Sequence, residues 1–294
     1  MTDLGPVSWL LGIKISRDLE AGTFSLSQHA YIDALLARFN FTDLKPMSTP
    51  MDPHQLLSKT QCPESPAEVA RMRRVPYREA IGVLMYAALG TQPDIVFAVS
   101  TLAQFAQNPG QPHWDAVKRV FRYLLGTRTL SRVYGGEKRE LEGFVDADGA
   151  TQEHRRAITG YVFLVDGGAV SWASKKQELV TLSTAESEYV ATTHAAKEAV
   201  WLRRFIGEVF GPLAEPTTLY NDNQATIALT KDGSYHTRTK HIDVRYHFIR
   251  YSINAGSIRL LYCPTGDMTA DILTKALPSV KVKHFAAALG LAQA

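Results

Sequence analysis

The chain has 294 residues, of which 45% are hydrophobic and 21% are charged, and its formal net charge is +3. This length suits two domains, and the composition is that of an ordinary globular protein rather than a disordered one. No apolar run approaches the roughly 20 residues that cross a bilayer, and no basic stretch precedes the N-terminal apolar patch, so neither a membrane span nor a signal peptide is expected. The two distant cysteines, Cys62 and Cys263, predict free thiols in a reducing compartment.

The first half of the chain is predicted to be mostly helical. The expected order is two strands within 10–28, a helix at 29–40, an exposed proline-rich loop at 45–66 with partial disorder over 45–70, and helices near 77–90, 93–107 and 113–127. The last helix carries Lys118, Arg119 and Arg122 on one side. That arrangement is typical of a nucleic-acid channel and equally of a plain amphipathic helix face. The run "GGEKRE" at 135–140 predicts a domain boundary, with domains at 1–135 and 136–294.

The second half alternates strands and helices. Strands are predicted at 141–147, 158–165 and 168–174, a long helix at 184–209, a strand ending at Asn221, helices at 223–231 and near 241–254, a strand at 257–263, and a C-terminal helix from about 269. Three sequential strands followed by alternating strands and helices predict an α/β domain with a mixed sheet and flanking helices.

Two aspartates, Asp146 and Asp148, lie in the strand-like run "GFVDADGA" at 143–150. Side chains alternate along a strand with period two, so both aspartates point to the same side. A structural explanation, an acid at a strand end near a turn, is at least as good for Asp148 as a functional one. It is weaker for Asp146, which apolar residues flank and which would be costly to bury as an unpaired carboxylate.

The long helix begins with two glutamates, of which at most one can face the sheet, because they are about 200° apart around the helix axis. Ser183 and Glu186 have the spacing of a capping box, which gives Glu186 a structural role. Glu188 begins the stripe that is expected to be buried, together with Ala191, Ala195, Ala199, Leu202 and Ile206. Glu188 is therefore the glutamate expected beside Asp146.

Asp222 and Asp271 lie at predicted element boundaries, Asp222 where a strand gives way to a helix and Asp271 at the start of the last helix. Each has an ordinary structural explanation, as an N-cap or as an acid favoured by the helix dipole. Taken together, the four acids suggest a cation site with oxygen ligands, which suits Mg²⁺ or Mn²⁺ better than zinc. Two such ions about 4 Å apart can support phosphodiester hydrolysis.

Several motifs resemble the ribonuclease H domain of copia-type LTR retrotransposon Pol polyproteins. They are "VDAD", "RRAITGYVFLV", "SWASKKQ", "LSTAESEYVA", "NDNQATIAL", "HTRTKHIDVRYHFIR" and "ADILTKAL", and they cover essentially all of 141–280. The resemblance implies a ribonuclease H-like five-stranded mixed sheet and hydrolysis of the RNA strand of RNA–DNA hybrids. It also implies that Asp146, Glu188, Asp222 and Asp271 are catalytic ligands of two Mg²⁺ ions, with Mn²⁺ as a substitute.

The first 135 residues resemble the same polyproteins, through motifs such as "WLLGIKISRD", "YREAIGVLMYAALGTQPDIVFAVSTLAQF" and "HWDAVKRVFRYLLGT". They look like the end of the reverse-transcriptase palm followed by thumb and connection. Because the chain contains no Asp-Asp dipeptide, DNA polymerase activity is not expected from it alone. The implied partners are RNA–DNA hybrid and the polymerase half or other Pol products. The implied location is cytoplasmic, in a virus-like particle, or nuclear.

Residues 231–250 form a modest basic patch with five Lys/Arg, two Asp and three His. The spacing argues against zinc. Phosphate contact is favoured for Arg238 and Lys240. His236 and His241 are candidates for assisting proton transfer or product release, and a solvated helix face is the structural alternative. The full set expected to bind nucleic acid is Arg238, Lys240, His241, Asn223 and Gln224.

The leading hypothesis is a metal-dependent endoribonuclease acting on RNA–DNA hybrids, as a fragment of a retrotransposon Pol protein. The second hypothesis, from a different class, is a non-catalytic nucleic-acid-binding or structural remnant of such a polyprotein. Missing acids would have favoured the second hypothesis, and none of the four is missing.

Overall fold

The computed structural model describes residues 5–135, 140–149, 156–181, 183–231 and 243–293, and it divides into two compact units. The first unit comprises Met1–Glu137, Asp166–Gly168 and Lys275–Ala294, and the second comprises Lys138–Val165 and Ala169–Thr274. The main division lies close to the boundary expected after residue 135. The last 20 residues, however, belong to the first unit and not to the predicted second domain, 136–294.

The elements follow one another in this order along the chain. The first stretch contains β1 (Trp9–Leu10), β2 (Ile13–Asp18), β3 (Thr23–Ser27), α1 (His29–Arg38), α2 (Pro66–Met72), α3 (Tyr77–Gly90), α4 (Val96–Ala103), α5 (Gln111–Thr127) and β4 (Leu130–Tyr134). The second contains β5 (Glu142–Asp148), β6 (Ile158–Val165), β7 (Gly168–Lys176), α6 (Thr184–Phe210), β8 (Thr217–Asn221), α7 (Gln224–Lys231), α8 (Asp243–Asn254), β9 (Ile258–Tyr262) and a 3₁₀ turn (Thr269–Leu273). The chain then returns to the first unit with α9 (Ser279–Ala288) and β10 (Leu291–Gln293). In the described part of the chain, no helix combines the length and the apolar character that crossing a membrane requires.

The first unit combines helices with an antiparallel sheet in the order β1-β2-β3-β4-β10. Strands β4 and β10 were not predicted from the sequence. Their pairing sets Leu291 opposite Arg132, which explains why the C-terminal residues belong to this unit. The continuous C-terminal helix predicted from about 269 is wrong. Pro278 precedes α9, and the residue before a proline disfavours helical backbone, so the 3₁₀ turn and α9 remain separate.

The proline-rich segment at 45–66 is largely an exposed loop, as predicted, although residues 49–51 are buried, and the partial disorder expected over 45–70 stays a prediction. Thr49 and Met51 are buried, and backbone and side-chain hydrogen bonds join the segment to α5. The Met47 amide donates to the Arg122 carbonyl at 3.1 Å, and the Arg119 guanidinium donates to the Thr49 hydroxyl at 2.8 Å. Backbone and side-chain groups of α5 thus provide hydrogen-bond partners for Met47 and Thr49.

The second unit has the α/β architecture expected from the sequence, a ribonuclease H-like five-stranded mixed sheet with helices packed on it. Its strand order is β7-β6-β5-β8-β9, with β5 antiparallel to β6 and parallel to β8, and β8 parallel to β9. Helix α6 packs on the sheet through the predicted stripe, in which Ala191, Ala195 and Ala199 are fully buried. Small side chains let the helix approach the sheet closely, and this brings the start of α6 beside the central strand β5.

Glycines make two further close approaches possible in this unit. A Cβ atom on Gly143 would lie 2.6 Å from the Phe163 ring and 2.7 Å from Leu219. A Cβ atom on Gly160 would lie 2.5 Å from the Thr274 methyl group. Gly160 pairs directly with Asp146 across β5 and β6, so the absence of a side chain there allows the segment after the 3₁₀ turn to approach Asp146.

Candidate metal centre

Asp146 lies in the central strand β5 and is 2% exposed. The Thr274 hydroxyl, which is itself fully buried, donates a hydrogen bond to its Oδ2 atom. This contact depends on Gly160, because any side chain at that position would meet Thr274. A hydrogen bond to a carboxylate fixes its orientation. Asp146 is thus held as an oriented carboxylate inside the unit.

Glu188 enters the interior from the second turn of α6, as the sequence predicted, and is 2% exposed. The helix start is capped by Ser183, whose hydroxyl accepts a hydrogen bond from the Glu186 amide at 3.2 Å. Both carboxylate oxygens of Glu188 accept hydrogen bonds, Oε1 from the Ala147 amide and Oε2 from the Asn221 side chain, each at 3.1 Å. The side chain therefore bridges β5 and the end of β8.

Asp222 follows β8 directly, in the turn that leads to α7. The Asn221 side chain accepts a hydrogen bond from the Asn223 amide at 2.7 Å, which shapes this turn. The Asn223 side chain in turn accepts from the Thr226 amide at 3.0 Å and so caps the helix. The N-cap role that the sequence left open for Asp222 belongs to Asn223. The carboxylate of Asp222 instead accepts a hydrogen bond from the Thr265 hydroxyl at 2.9 Å.

These three acids come together although they are far apart in the sequence. One carboxylate oxygen from each of Asp146, Glu188 and Asp222 lies within 4.8 Å of the others. Burial, and then the charge of Asp146, raise the pKa of Glu188 to about 9, and Asp222 adds to this effect. Like charges held this closely in a poorly solvated place disfavour full ionisation in the absence of a counter-charge.

A divalent cation fits this set of residues. All three donors are carboxylate oxygens, which hard cations such as Mg²⁺ prefer. Burial first, and then the nearby charge of Asp146, raise the pKa of Glu188, and a bound cation would favour the ionised form of this side chain. Hydrogen bonds from Thr274, Asn221 and the Ala147 amide already orient the donors, which is the role of outer partners around a metal.

The remaining predicted residues divide into three groups. Asp148 and Asp271 contribute no oxygen to the three-carboxylate cluster. Asp271 is buried in the 3₁₀ turn, and its carbonyl lies 3.2 Å from the Thr274 hydroxyl. Asn223 caps α7 as described, and Gln224 is exposed at the first residue of that helix. Arg238, Lys240 and His241 lie outside the described residues, as does His236, so their predicted roles stay predictions.

Sequence reasoning missed Asn221 and Thr274, the two side chains that orient the acids. The signal for Asn221 was a polar residue at the end of an apolar strand, directly before a candidate ligand. No comparable signal existed for Thr274, because its contact with Asp146 spans 128 positions.

The sheet order and the acids beside its central strand define the second unit as an α/β fold with a five-stranded mixed sheet and an acidic cluster suited to a divalent cation. No protein-family model matches the chain. The chain is 46% identical over 282 residues to the retrovirus-related Pol polyprotein from transposon TNT 1-94 of Nicotiana tabacum, a match that covers 96% of this chain and 21% of the polyprotein. It is 36% identical over 288 residues to the corresponding polyprotein from transposon RE1 of Arabidopsis thaliana, covering 96% and 19%.

Over 96% of its length the chain is thus similar to retrovirus-related Pol polyproteins of transposons. It spans about a fifth of the length of these curated relatives. Among solved structures, LC11-RNase H1 in complex with RNA/DNA hybrid is similar at 14% identity and a TM-score of 0.36, over 46% of this chain and 94% of that one.

Proposed function

We propose that the second unit is a divalent-metal-dependent nuclease that hydrolyses the RNA strand of RNA–DNA hybrids. The observation that carries the proposal is the meeting of Asp146, Glu188 and Asp222, two of them almost fully buried, at one point beside the central strand. Similarity to transposon Pol polyproteins supports a nucleic-acid substrate. The same proposal makes the second unit the ribonuclease H domain and the first unit the end of the reverse transcriptase.

Asp146, Glu188 and Asp222 would hold Mg²⁺, or Mn²⁺ in its place, and two ions are expected from the family resemblance. Bound metal of this kind activates a water molecule and stabilises the leaving oxygen of a phosphodiester. The protein's own part is to hold the carboxylates in position. Thr274 orients Asp146, and Asn221 with the Ala147 amide orients Glu188. Asp271 enters the proposal as a fourth acid, because the Thr274 amide donates a hydrogen bond to the Asp271 carbonyl at 3.2 Å and so connects its turn to the residue that orients Asp146.

The hybrid is proposed to bind beside this cluster. Asn223 and Gln224 follow Asp222 directly at the start of α7, and Gln224 is exposed there. Together with Arg238, Lys240 and His241 they form the proposed contact set for the phosphates and sugars of the hybrid. Polymerase activity is not part of the proposal, because the chain contains no Asp-Asp dipeptide.

The test is cleavage of an end-labelled RNA strand in an RNA–DNA hybrid by the purified chain. We expect cutting in millimolar Mg²⁺, none in EDTA, and loss of cutting in Asp146→Asn. The matched control is Asp148→Asn, since it removes the same charge from the same strand but lies outside the cluster. Hybrid binding without cleavage by the folded wild-type chain would refute the nuclease and leave a binding module.

A further inference from the structure

We propose that the first unit contains a phosphate-binding pocket, formed between helix α5 and the segment 44–55. The structure has an open pocket of about 600 Å³ here, and four cationic side chains contribute to its lining, namely Lys45, Lys118, Arg119 and Arg122. The pocket is built entirely from residues of the first unit, and it does not depend on the carboxylates or on nuclease activity.

One wall is a single face of α5. Positions 115, 118, 119 and 122 recur at helical spacing, so their side chains project on the same side. The opposite face is fully buried in the core through Val117, Val120 and Phe121. The cations are therefore carried by a helix that the core holds in place.

The other wall is the segment 44–55, and hydrogen bonds fix it to that helix. Arg122 donates from Nε to the Lys45 carbonyl at 2.7 Å and accepts at its own carbonyl from the Met47 amide at 3.1 Å. Arg119 donates to the Thr49 hydroxyl at 2.8 Å and pairs with Asp52 at 3.1 Å. A pocket whose walls are already connected in this way is preorganised, which lowers the entropic cost of binding.

The charge of the pocket is unbalanced. Lys118 pairs with Asp115 at 2.7 Å, and Arg119 pairs with Asp52. Within the described ranges, neither Lys45 nor Arg122 forms an ion pair. Four cations against two carboxylates leave an excess of two positive charges. An arginine fork beside a lysine ammonium is the arrangement that recognises a phosphate group.

The ligand chemistry is a phosphate, carried either by a nucleic-acid backbone or by a free phosphate compound. Binding to the full chain is measured in EDTA, so that no cleavage can occur. The first arm follows the fluorescence anisotropy of a labelled RNA–DNA hybrid at several salt concentrations, and the second follows titration of inorganic pyrophosphate by calorimetry. The variants are Lys45→Gln and Arg122→Gln. Lys45→Gln changes only the side chain, so the Lys45 backbone carbonyl that accepts the hydrogen bond from Arg122 stays in place. Lys283→Gln, an exposed lysine on α9, is the matched control.

If the ligand is a nucleic-acid backbone, each variant makes the negative slope of log affinity against log salt less steep by about 0.9. This change corresponds to about eightfold weaker binding at 0.1 M salt. Lys283→Gln leaves the slope unchanged. If the ligand is a free phosphate compound, hybrid binding is unchanged but the heat of pyrophosphate binding is lost in both variants. If both variants behave like Lys283→Gln in both arms, the pocket does not bind phosphate and the inference is overturned.

Discussion

Replacing Thr274 with valine removes the hydroxyl group that orients Asp146 while keeping the volume of the side chain. Thr274 is fully buried and Asp146 is 2% exposed, so water cannot replace the lost hydrogen bond. A hydrogen bond to a charged group contributes about 1.5–3 kcal/mol, and a buried acceptor left without its donor costs a similar amount. We therefore expect Thr274→Val to destabilise the second unit by about 1.5–3 kcal/mol.

The same change should weaken metal binding. Loss of a side chain that orients a metal ligand typically lowers metal affinity about 10- to 100-fold. Because the chain has two compact units, a single unfolding transition is not assumed, and stability is read from hydrogen exchange in peptides that cover β5 and β6. Mn²⁺ affinity is measured by calorimetry on the same samples.

Thr274→Ser is the control, because serine keeps the hydroxyl group and loses only a methyl. A double-mutant cycle with Asp146→Asn isolates the pairwise energy. Equal exchange rates and equal Mn²⁺ affinity in the valine and serine variants would mean that Thr274 contributes no orienting hydrogen bond.

The other predictions concern one further orienting residue, one close approach and one buried acid. Asn221→Ala removes the donor to Glu188 and the acceptor that shapes the following turn, so we expect about 2–4 kcal/mol of destabilisation, seen as faster exchange at the start of α6. Gly160→Ala places a Cβ atom 2.5 Å from the Thr274 methyl group and should cost about 1–3 kcal/mol, and unchanged exchange in β6 would contradict the close approach. Burial raises the pKa of Asp94 from 3.8 to about 6, so its contribution to stability is complete below pH 4 and is lost as the pH rises through 6. The shift in pKa corresponds to about 3 kcal/mol of stability lost between pH 4 and pH 7, and Asp94→Asn should abolish this loss. Hydrogen exchange in α4 and α5 should therefore differ less between pH 4 and pH 7 in the variant than in the wild type.

The periodicity of apolar residues along the sequence predicted the helices whose buried faces it determines. Helix α3 occupies the predicted range, 77–90, and the stripe on α6 that begins with Glu188 is buried as far as Leu202, as its 3.6-residue period required. The choice of Glu188 over Glu186 followed from the same period, and the structure places Glu188, not Glu186, in the cluster.

The features that escaped prediction depend on partners distant in the sequence. The short strand β10 exists because it pairs with β4, about 160 positions earlier, and a three-residue run carries no signal of its own. Within the otherwise exposed segment 45–66, Met47 and Thr49 are held against α5 by hydrogen bonds that the segment's own sequence does not reveal. Similarly, Asn221 and Thr274 acquire their roles only when the sheet brings Glu188 and Asp146 beside them.

Asp146, Glu188 and Asp222 are expected to form one divalent-metal site. The most direct measurement is an anomalous-difference map from crystals of the chain soaked in Mn²⁺, with Glu188→Gln crystals as the control. We expect a peak within about 2.5 Å of an oxygen of each of the three carboxylates, and loss of that peak in the variant. The same map shows whether Asp271 is a further ligand. Mn²⁺ density elsewhere on the molecule, with none at these three carboxylates at saturating metal, would contradict the account.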